Sequence, residues 1–179
     1  MNTPHPTLRT WTEDDFPSYV LLHSDPQIVH WLGGQMNPEQ MRAAFERMSN
    51  HLNENGWGVW AVTNEAGDII GAAGIQPIRE GLPVSGIEAA WRLDSRHVGK
   101  GYVTNPMRAV MPWAFQRLPV DEILTFTAAT NLKSQAVMRR VGFTPDASRD
   151  FDHPALAPNH PLRRHVLYTM KRTDPAAQP

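Results

Sequence analysis

The chain has 179 residues, 41% hydrophobic and 20% charged, with 17 Lys+Arg against 18 Asp+Glu for a net charge of −1. That is the size and make-up of one globular domain with one core, and so even a charge balance leaves no basic field to collect nucleic acid. The absence of cysteine excludes disulfides, thiolate metal sites and a cysteine nucleophile, and makes a reducing cytoplasm the expected home.

The first eleven residues hold two prolines and no apolar run, so no signal peptide is expected there, and no stretch approaches the length that spans a bilayer. Residues 7–10 read as a short strand. Thr12, with Asp15 three positions on, opens a helix whose inner face is Phe16, Tyr19 and Val20. Asp25-Pro26 starts a short helical piece that ends near Trp31 and Leu32, closed by Gly33-Gly34. Asn37-Pro38-Glu39-Gln40 supplies a cap, a proline at the first helical position and a glutamine at the third. Met41, Ala44, Phe45, Met48 and Leu52 follow at helical spacing. Beyond Asn55-Gly56 the period changes. Residues 57–63 and 69–76 are short, apolar and partly alternating, and 64–68 joins them as a hairpin.

A Gly/Pro-rich loop at 79–86 leads to a strand at 87–93. Residues 106–118 read as a helix that Pro112 should bend or interrupt. Residues 122–128 make a strand, Asn131 starts a helix through Val141, and Gly142 stands where a left-handed closing residue belongs. Residues 144–161, with several prolines and three acids, are expected to be a long loop, and 162–171 a last strand. The whole chain, 1–179, is expected to be one domain folded over about 7–171, with 172–179 as a flexible tail. This order implies one mixed α/β sheet covered by helices.

The most informative segment is Arg96-His97-Val98-Gly99-Lys100-Gly101-Tyr102, between the 87–93 strand and the helix beyond Pro106. Two glycines let the backbone approach a ligand and adopt positive φ. A strand that turns through them into a helix start presents several unpaired N–H groups in one direction. Those donors suit a pyrophosphate, and Arg96 and Lys100 add charge. On its own a plain strand–helix turn fits as well. It is not a Walker loop, for no Gly-Lys-Ser/Thr follows a four-residue spacer. Nor is it a dinucleotide fingerprint, for the third glycine is missing. His97 is expected to point to solvent.

Arg96-x-x-Gly99-x-Gly101 resembles the pyrophosphate loop of the GNAT acyltransferase superfamily. Ile87 to Asp94 resembles the strand before that loop, and Asn131-Leu132-Lys133-Ser134 with Val141-Gly142-Phe143 resembles the family's fifth-strand exit, next helix and Gly-Phe close. Leu8-Arg9, Asp15, Asp25-Pro26 and Trp31-Leu32 are similar to the N-terminal half of the RimJ/RimL-like ribosomal-protein N-acetyltransferase branch. The resemblance spans roughly residues 8–170. It implies a mixed, mostly antiparallel sheet splayed at a central parallel strand pair, with helices on both faces. It implies acetyl-CoA as co-substrate and an amine as acceptor. Main-chain groups of Trp91 and Leu93 would pair with the pantetheine arm, and N–H groups from Val98 to Tyr102, with Arg96, would hold the pyrophosphate. Asn131 would bind near the pantetheine and Ser134 would face the sulfur, although either also serves as a plain helix-start residue.

Acetyl transfer to an amine needs a neutral nucleophile, a polarised thioester and a proton for the thiolate. With no cysteine and no Gly-x-Ser-x-Gly elbow, direct attack in a ternary complex is expected, with a backbone N–H of the 87–93 strand on the oxyanion. Glu88, in an otherwise apolar strand, is the candidate base, acting directly or through water; a carboxylate on the solvent face or a partner for Arg92 is its bland alternative. Many relatives place a tyrosine seven residues after the asparagine as the thiolate's acid, and here Met138 stands there, which leaves Ser134, water or no dedicated group. Asp152 and His153 in the late loop are candidate acceptor contacts, or solvated loop residues. His153, His160 and His165 have no metal-ligand spacing, so no metal is expected, and Trp31, Trp57 and Trp60 read as core. An acyl-CoA-binding sensor or assembly module is the competing reading, and an ATP-binding loop a remote one. A homodimer through the final strands fits the pattern, and the sequence leaves the oligomeric state open.

Overall fold

The structure, a computed structural model, describes residues 3–172. Of the tail expected at 172–179, all but Arg172 lies outside them. Arg172, expected in that tail, is anchored: its N–H donates to the Asp121 carbonyl at 2.7 Å, and its guanidinium to the carbonyls of Leu118 at 2.7 Å and Val120 at 2.9 Å. The chain forms two compact units. One is the chain up to Gln76 with Ala90–Val110, the other Pro77–Ala89 with everything from Met111 on. The strands are mixed and mostly antiparallel, with one parallel pair among the described residues.

The first unit begins with β1 (Leu8–Arg9) paired antiparallel to β2 (Val59–Thr63), Leu8 opposite Val62. A 3-10 turn at Glu13–Asp15 leads into α1 (Phe16–His23). Its start is fixed by Asp15, which accepts the Thr12 N–H at 2.7 Å and two bonds from the Arg9 guanidinium at 2.7 and 2.8 Å. The guanidinium lowers the Asp15 pKa to about 2. α2 (Pro26–Trp31) is capped by Asp25. α3 (Pro38–Asn55) carries the reciprocal cap that the sequence spells, Asn37 Oδ1 accepting from Gln40 N–H and Gln40 Oε1 from Asn37 N–H. Its Met41, Phe45 and Leu52 are buried, and Phe45 meets Trp11 and Tyr19 edge-on at 6.0 and 5.3 Å. The Trp11 indole N–H, buried with its ring, donates to the Val59 carbonyl at 2.9 Å, so the aromatic cluster is tied to the sheet without an orphaned donor. β3 (Ile69–Pro77) forms the expected hairpin with β2. The last four residues of β4 (Ile87–Leu93) close this unit's strands, and the N–H of Asp94 beyond them donates to the Ile70 carbonyl at 2.8 Å.

The second unit holds the start of β4, which pairs parallel to β5 (Glu122–Ala128) with Glu88 beside Leu124. β8 (Arg164–Lys171) runs antiparallel along all of β5, Leu124 opposite Thr169 and Ala128 opposite His165. The stretch 144–161, expected as one loop, is more ordered than that. It contains β6 (Thr144–Pro145), a 3-10 turn at Ala147–Arg149 and β7 (Phe151–Asp152), and both strands pair with β8. Pairs this short have no readable period. What holds them is non-local, namely the Arg149 guanidinium doubly bonded to Glu122 at 2.7 and 2.9 Å, and Asp150 accepting the Leu167 N–H at 2.9 Å. Leu124, Phe151 and Leu167 form a core against which Ile78, Leu82, Val84 and Phe126 pack. α5 (Leu132–Val141) covers the alternate residues of β5, Asn131 reaching Thr127 and Arg139 the Tyr168 hydroxyl.

α4 (Thr104–Arg117) starts two residues before the expected position and runs through Pro112 without interruption. A proline removes one intrahelical bond and crowds one carbonyl, and the turns on either side carry the helix past it.

Candidate active site

In the first unit β4 ends at Leu93, and Asp94 shapes the turn beyond it. Its Oδ1 accepts the Arg96 N–H at 2.9 Å and caps the 3-10 turn at Ser95–His97. The Arg96 guanidinium folds back onto the same carboxylate, Nε at 3.0 Å from Oδ1 and Nη2 at 2.5 Å from Oδ2. Arg96 therefore braces the loop entrance, and its charge, expected on a phosphate, is paired within the turn. The Ser95 N–H donates at 3.1 Å to Oδ2 of Asp25, whose Oδ1 caps α2 through Gln27 at 2.8 Å. In the sequence Asp25 and Asp94 are no more than a helix opener and a strand end. The one signal for Asp94 is its place two residues before an arginine at a strand exit, a common local turn.

Gly99 and Gly101 both adopt positive φ, 87° and 85°. α4 then starts at Thr104, and the Asn105 N–H already donates to the Gly101 carbonyl at 3.0 Å. The amides of Gly99, Lys100, Gly101 and Tyr102 donate to no acceptor among the described residues. Four consecutive unpaired N–H groups just ahead of a helix start are donors of the kind that bind anions. Val98, Gly99 and Lys100 are exposed, and Trp91, Leu93 and Tyr102 half-buried. The Tyr102 hydroxyl hydrogen-bonds Glu65, which raises the phenol's pKa and lowers the carboxyl's. His97 departs from expectation. Its side chain is only 22% exposed, its Nδ1 is 3.8 Å from Asp94 Oδ2, and its ring meets Tyr102 edge-on at 6.0 Å. Packing against the turn holds it off solvent.

In the second unit Asn131 is buried and caps α5, its Oδ1 accepting the Ser134 N–H at 3.2 Å and its Nδ2–H donating to Thr127 Oγ1 at 3.1 Å. Its helix-start role is thus realised. Ser134 is half-buried one turn in, and its hydroxyl has no partner among the described residues. Met138 is fully buried, so the position of the family's tyrosine is core here. Glu88 is half-buried on β4, level with Leu124 and well short of the strand end from which α5 departs. Asp152 is no free carboxylate. It faces Arg163 at 3.3 Å and Arg164 at 3.5 Å, a cluster invisible until β7 is known to lie on β8. His153 accepts the Ala155 N–H at Nδ1 and lies 5.1 Å from the ring of His165; burial lowers its pKa. Asn131 and Ser134 are thus brought together, Glu88 lies further down the sheet, and the Asp152–His153 pair sits across β8, beside the strand end that leads to Asn131. No group of side chains suited to holding a metal ion occurs among the described residues, and no helix there is long and apolar enough to cross a membrane.

Residues 6–144 match the family model described as an acetyltransferase (GNAT) domain. The uncharacterized protein YkkB of Bacillus subtilis (strain 168) is 27% identical over 133 residues, covering 72% of this chain and 75% of that protein. Among solved structures, an acetyltransferase from Agrobacterium tumefaciens str. C58 is 26% identical with a TM-score of 0.71, covering 92% of this chain and 90% of its own. The ribosomal-protein-S5-alanine acetyltransferase of Vibrio fischeri shares the fold at 18% identity and a TM-score of 0.72, with 93% of each chain covered. The aminoglycoside acetyltransferase AAC(6')-Ib, solved with coenzyme A, does so at 19% identity and 0.73, covering 93% and 94%.

Proposed function

Because the chain belongs to the GNAT acetyltransferase family, we propose that it moves an acetyl group from acetyl-CoA to a primary amine, either a peptide N-terminus, as in the RimJ/RimL-like branch, or a small-molecule amine. The observation that carries the proposal is the run of unpaired amides from Gly99 to Tyr102 ahead of α4. A diphosphate needs several donors together, and four consecutive amides with no internal bond to break first support that reading. Lys100 adds an exposed charge, and Arg96, paired to Asp94, keeps the loop's entry in place. Main-chain groups of Trp91 and Leu93 take the pantetheine arm in this reading, and Val98 contributes its N–H to the loop.

Ser134, whose hydroxyl is uncommitted, is assigned to the sulfur, and Asn131 to ordering the turn that presents Ser134. With Met138 buried, water or Ser134 protonates the departing thiolate. Glu88 is retained as a base that works through water. Holding amine and thioester together supplies much of the acceleration, since the pair reacts without a covalent intermediate.

The test has two arms. Free thiol release from acetyl-CoA is followed with a panel of amines, and unfolding is followed with acetyl-CoA or ATP added. Turnover with at least one amine is expected, together with stabilisation by acetyl-CoA of about 2.7 kcal/mol at a hundred times its Kd. Stabilisation by acetyl-CoA with no turnover on any amine would leave a binding module. Stabilisation by ATP alone would end the acetyl-CoA reading.

A further inference from the structure

Acetyl transfer, the reading on which this step rests, requires the acceptor to shed a proton, because a primary amine is an ammonium at neutral pH. In the second unit, α5 lies on the face of β5 that carries Thr125 and Thr127: Asn131 reaches Thr127, and Arg139 donates to the hydroxyl of Tyr168, which stands opposite Thr125. If Ser134 addresses the thioester from that side, an acceptor must come from the other. There the alternate residues Leu124, Phe126 and Ala128 stand beside Thr169, Leu167 and His165.

Among the described residues of that face, His165 is the one whose unpartnered nitrogen can act as a base. Its Nδ1 lies 3.1 Å from the Arg163 carbonyl, which can only accept, so Nδ1 carries the hydrogen and the neutral ring keeps its lone pair on Nε2. Nε2 has no partner among the described residues and is not sealed from water. The ring stacks on Phe151 at 5.4 Å and 17° and meets Phe126 at 6.3 Å. The charged groups around it are spent on one another, Asp152 with Arg163 and Arg164, and Asp150 with Arg164 at 3.9 Å. His153, 5.1 Å away, uses its own Nδ1 to accept the Ala155 N–H. Burial lowers the His165 pKa, the Arg163 bond opposes that, and His153 adds to it, which together favour the neutral ring.

Register separates this histidine from Glu88. Glu88 stands level with Leu124 on one flank of β5, His165 level with Ala128 on the other. Four residues of strand span about 13 Å, too far for both to touch one amine, which leaves Glu88 the second proton, relayed through water. Only His165 sits at the strand end from which α5 departs, where the Asn131 N–H donates to the Ala128 carbonyl at 2.8 Å and the Ala129 N–H to the Arg164 carbonyl at 2.7 Å.

We propose that His165 Nε2 receives the proton of the acceptor ammonium, and that the acceptor carries an apolar or aromatic group beside its amine, laid against the half-buried Phe126. The ammonium N–H bond breaks and its proton passes to Nε2. The freed lone pair forms the C–N bond at the thioester carbonyl as the C–S bond breaks. The thiolate takes the amine's second proton through water, and the imidazolium returns its proton to solvent. Ammonium and thioester thus become amide, thiol and one released proton.

His165→Asn keeps an N–H for the Arg163 carbonyl and removes the proton acceptor. In the full chain, with 2-phenylethylamine as acceptor, kcat/KM at pH 7 falls at least about 100-fold and becomes proportional to hydroxide, while stabilisation by acetyl-CoA is unchanged. Wild-type kcat/KM declines on acidification as the ring takes a proton, at a pH below the ordinary imidazole range because burial disfavours the imidazolium, and ethylamine is the poorer substrate. A variant within twofold of wild type, with the same pH profile, overturns the proposal while leaving the acetyl-CoA reading intact. Loss of acetyl-CoA stabilisation in the wild type would instead remove the reading beneath it. A readout free of any variant is the imidazole 15N spectrum of the wild type: 2-phenylethylamine moves the His165 Nε2 resonance, and an unmoved resonance at saturating amine also overturns the proposal.

Discussion

Gly99→Ala isolates what the loop backbone does for the acetyl-CoA diphosphate. Gly99 sits at φ 87°, and a Cβ built there meets nothing within 4 Å, so the new methyl adds no clash. It adds left-handed strain of about 1–2 kcal/mol. The free loop can shed that strain by rotating, because the amides of Gly99 to Tyr102 hold no internal bond that would resist. Binding must then restore the strained path, and the same 1–2 kcal/mol appears as a Kd raised about 5- to 30-fold. Gly67 is the matched control. Its φ is 88° with nothing within 4 Å, but its N–H donates to the Asn64 carbonyl at 3.1 Å in a turn that Asn64 Oδ1 also clamps through Ala66 and Asp68. There the strain cannot relax, so Gly67→Ala loses about 1–2 kcal/mol of stability and no acetyl-CoA affinity. Urea unfolding without ligand and calorimetric titration with acetyl-CoA give the two numbers for each variant. Wild-type affinity in Gly99→Ala would refute the assignment of the loop backbone to the diphosphate.

Gly101→Val combines a φ of 85° with a Cβ 2.9 Å from Nδ2 of the Asn105 side chain, within the run of unpaired amides. Stabilisation by acetyl-CoA should vanish while far-UV circular dichroism and cooperative melting persist. Glu88→Gln should lower turnover with acetyl-CoA affinity unchanged, and full activity across pH would remove Glu88 from the chemistry. His23 is buried against Tyr19, its ring 3.9 Å away, and burial, then the Arg92 charge, depress its pKa from 6.5 to about 4. The unfolded chain therefore binds this proton first as pH falls. The stability tied to neutral His23 is complete above pH 6.5 and declines toward pH 4, by about 2 kcal/mol at pH 5. His23→Phe should flatten that decline in urea unfolding at pH 5 and 7, and an unchanged slope would exclude His23 as its source.

Local signals make most of the fold legible. The Asn37–Gln40 reciprocal cap, the alternation on either side of 64–68 and the glycines at 99 and 101 are instructions written within a few residues of where they act. What the sequence conceals is set by partners far along the chain. β6 and β7 exist because β8 is there to pair with, and Arg149 closes them through Glu122, 27 residues upstream. The site divides the same way. The loop is legible as donors ahead of a helix, whereas Arg96 spent on Asp94, His97 packed off solvent and Asp152 held by two arginines depend on rotamers that spacing does not encode. His165 is silent in the sequence because its significance lies in a carbonyl, an aromatic ring and a register, none of which has a motif.

Amide nitrogen and proton shifts during an acetyl-CoA titration report directly on the donors that hold the diphosphate. The signals of Gly99, Lys100, Gly101 and Tyr102 should move strongly downfield in proton, as free amides take up charge-assisted bonds, and 3'-dephospho-CoA should reproduce the shifts because it keeps the diphosphate. Saturation with acetyl-CoA that leaves those four signals in place would contradict the account at its base.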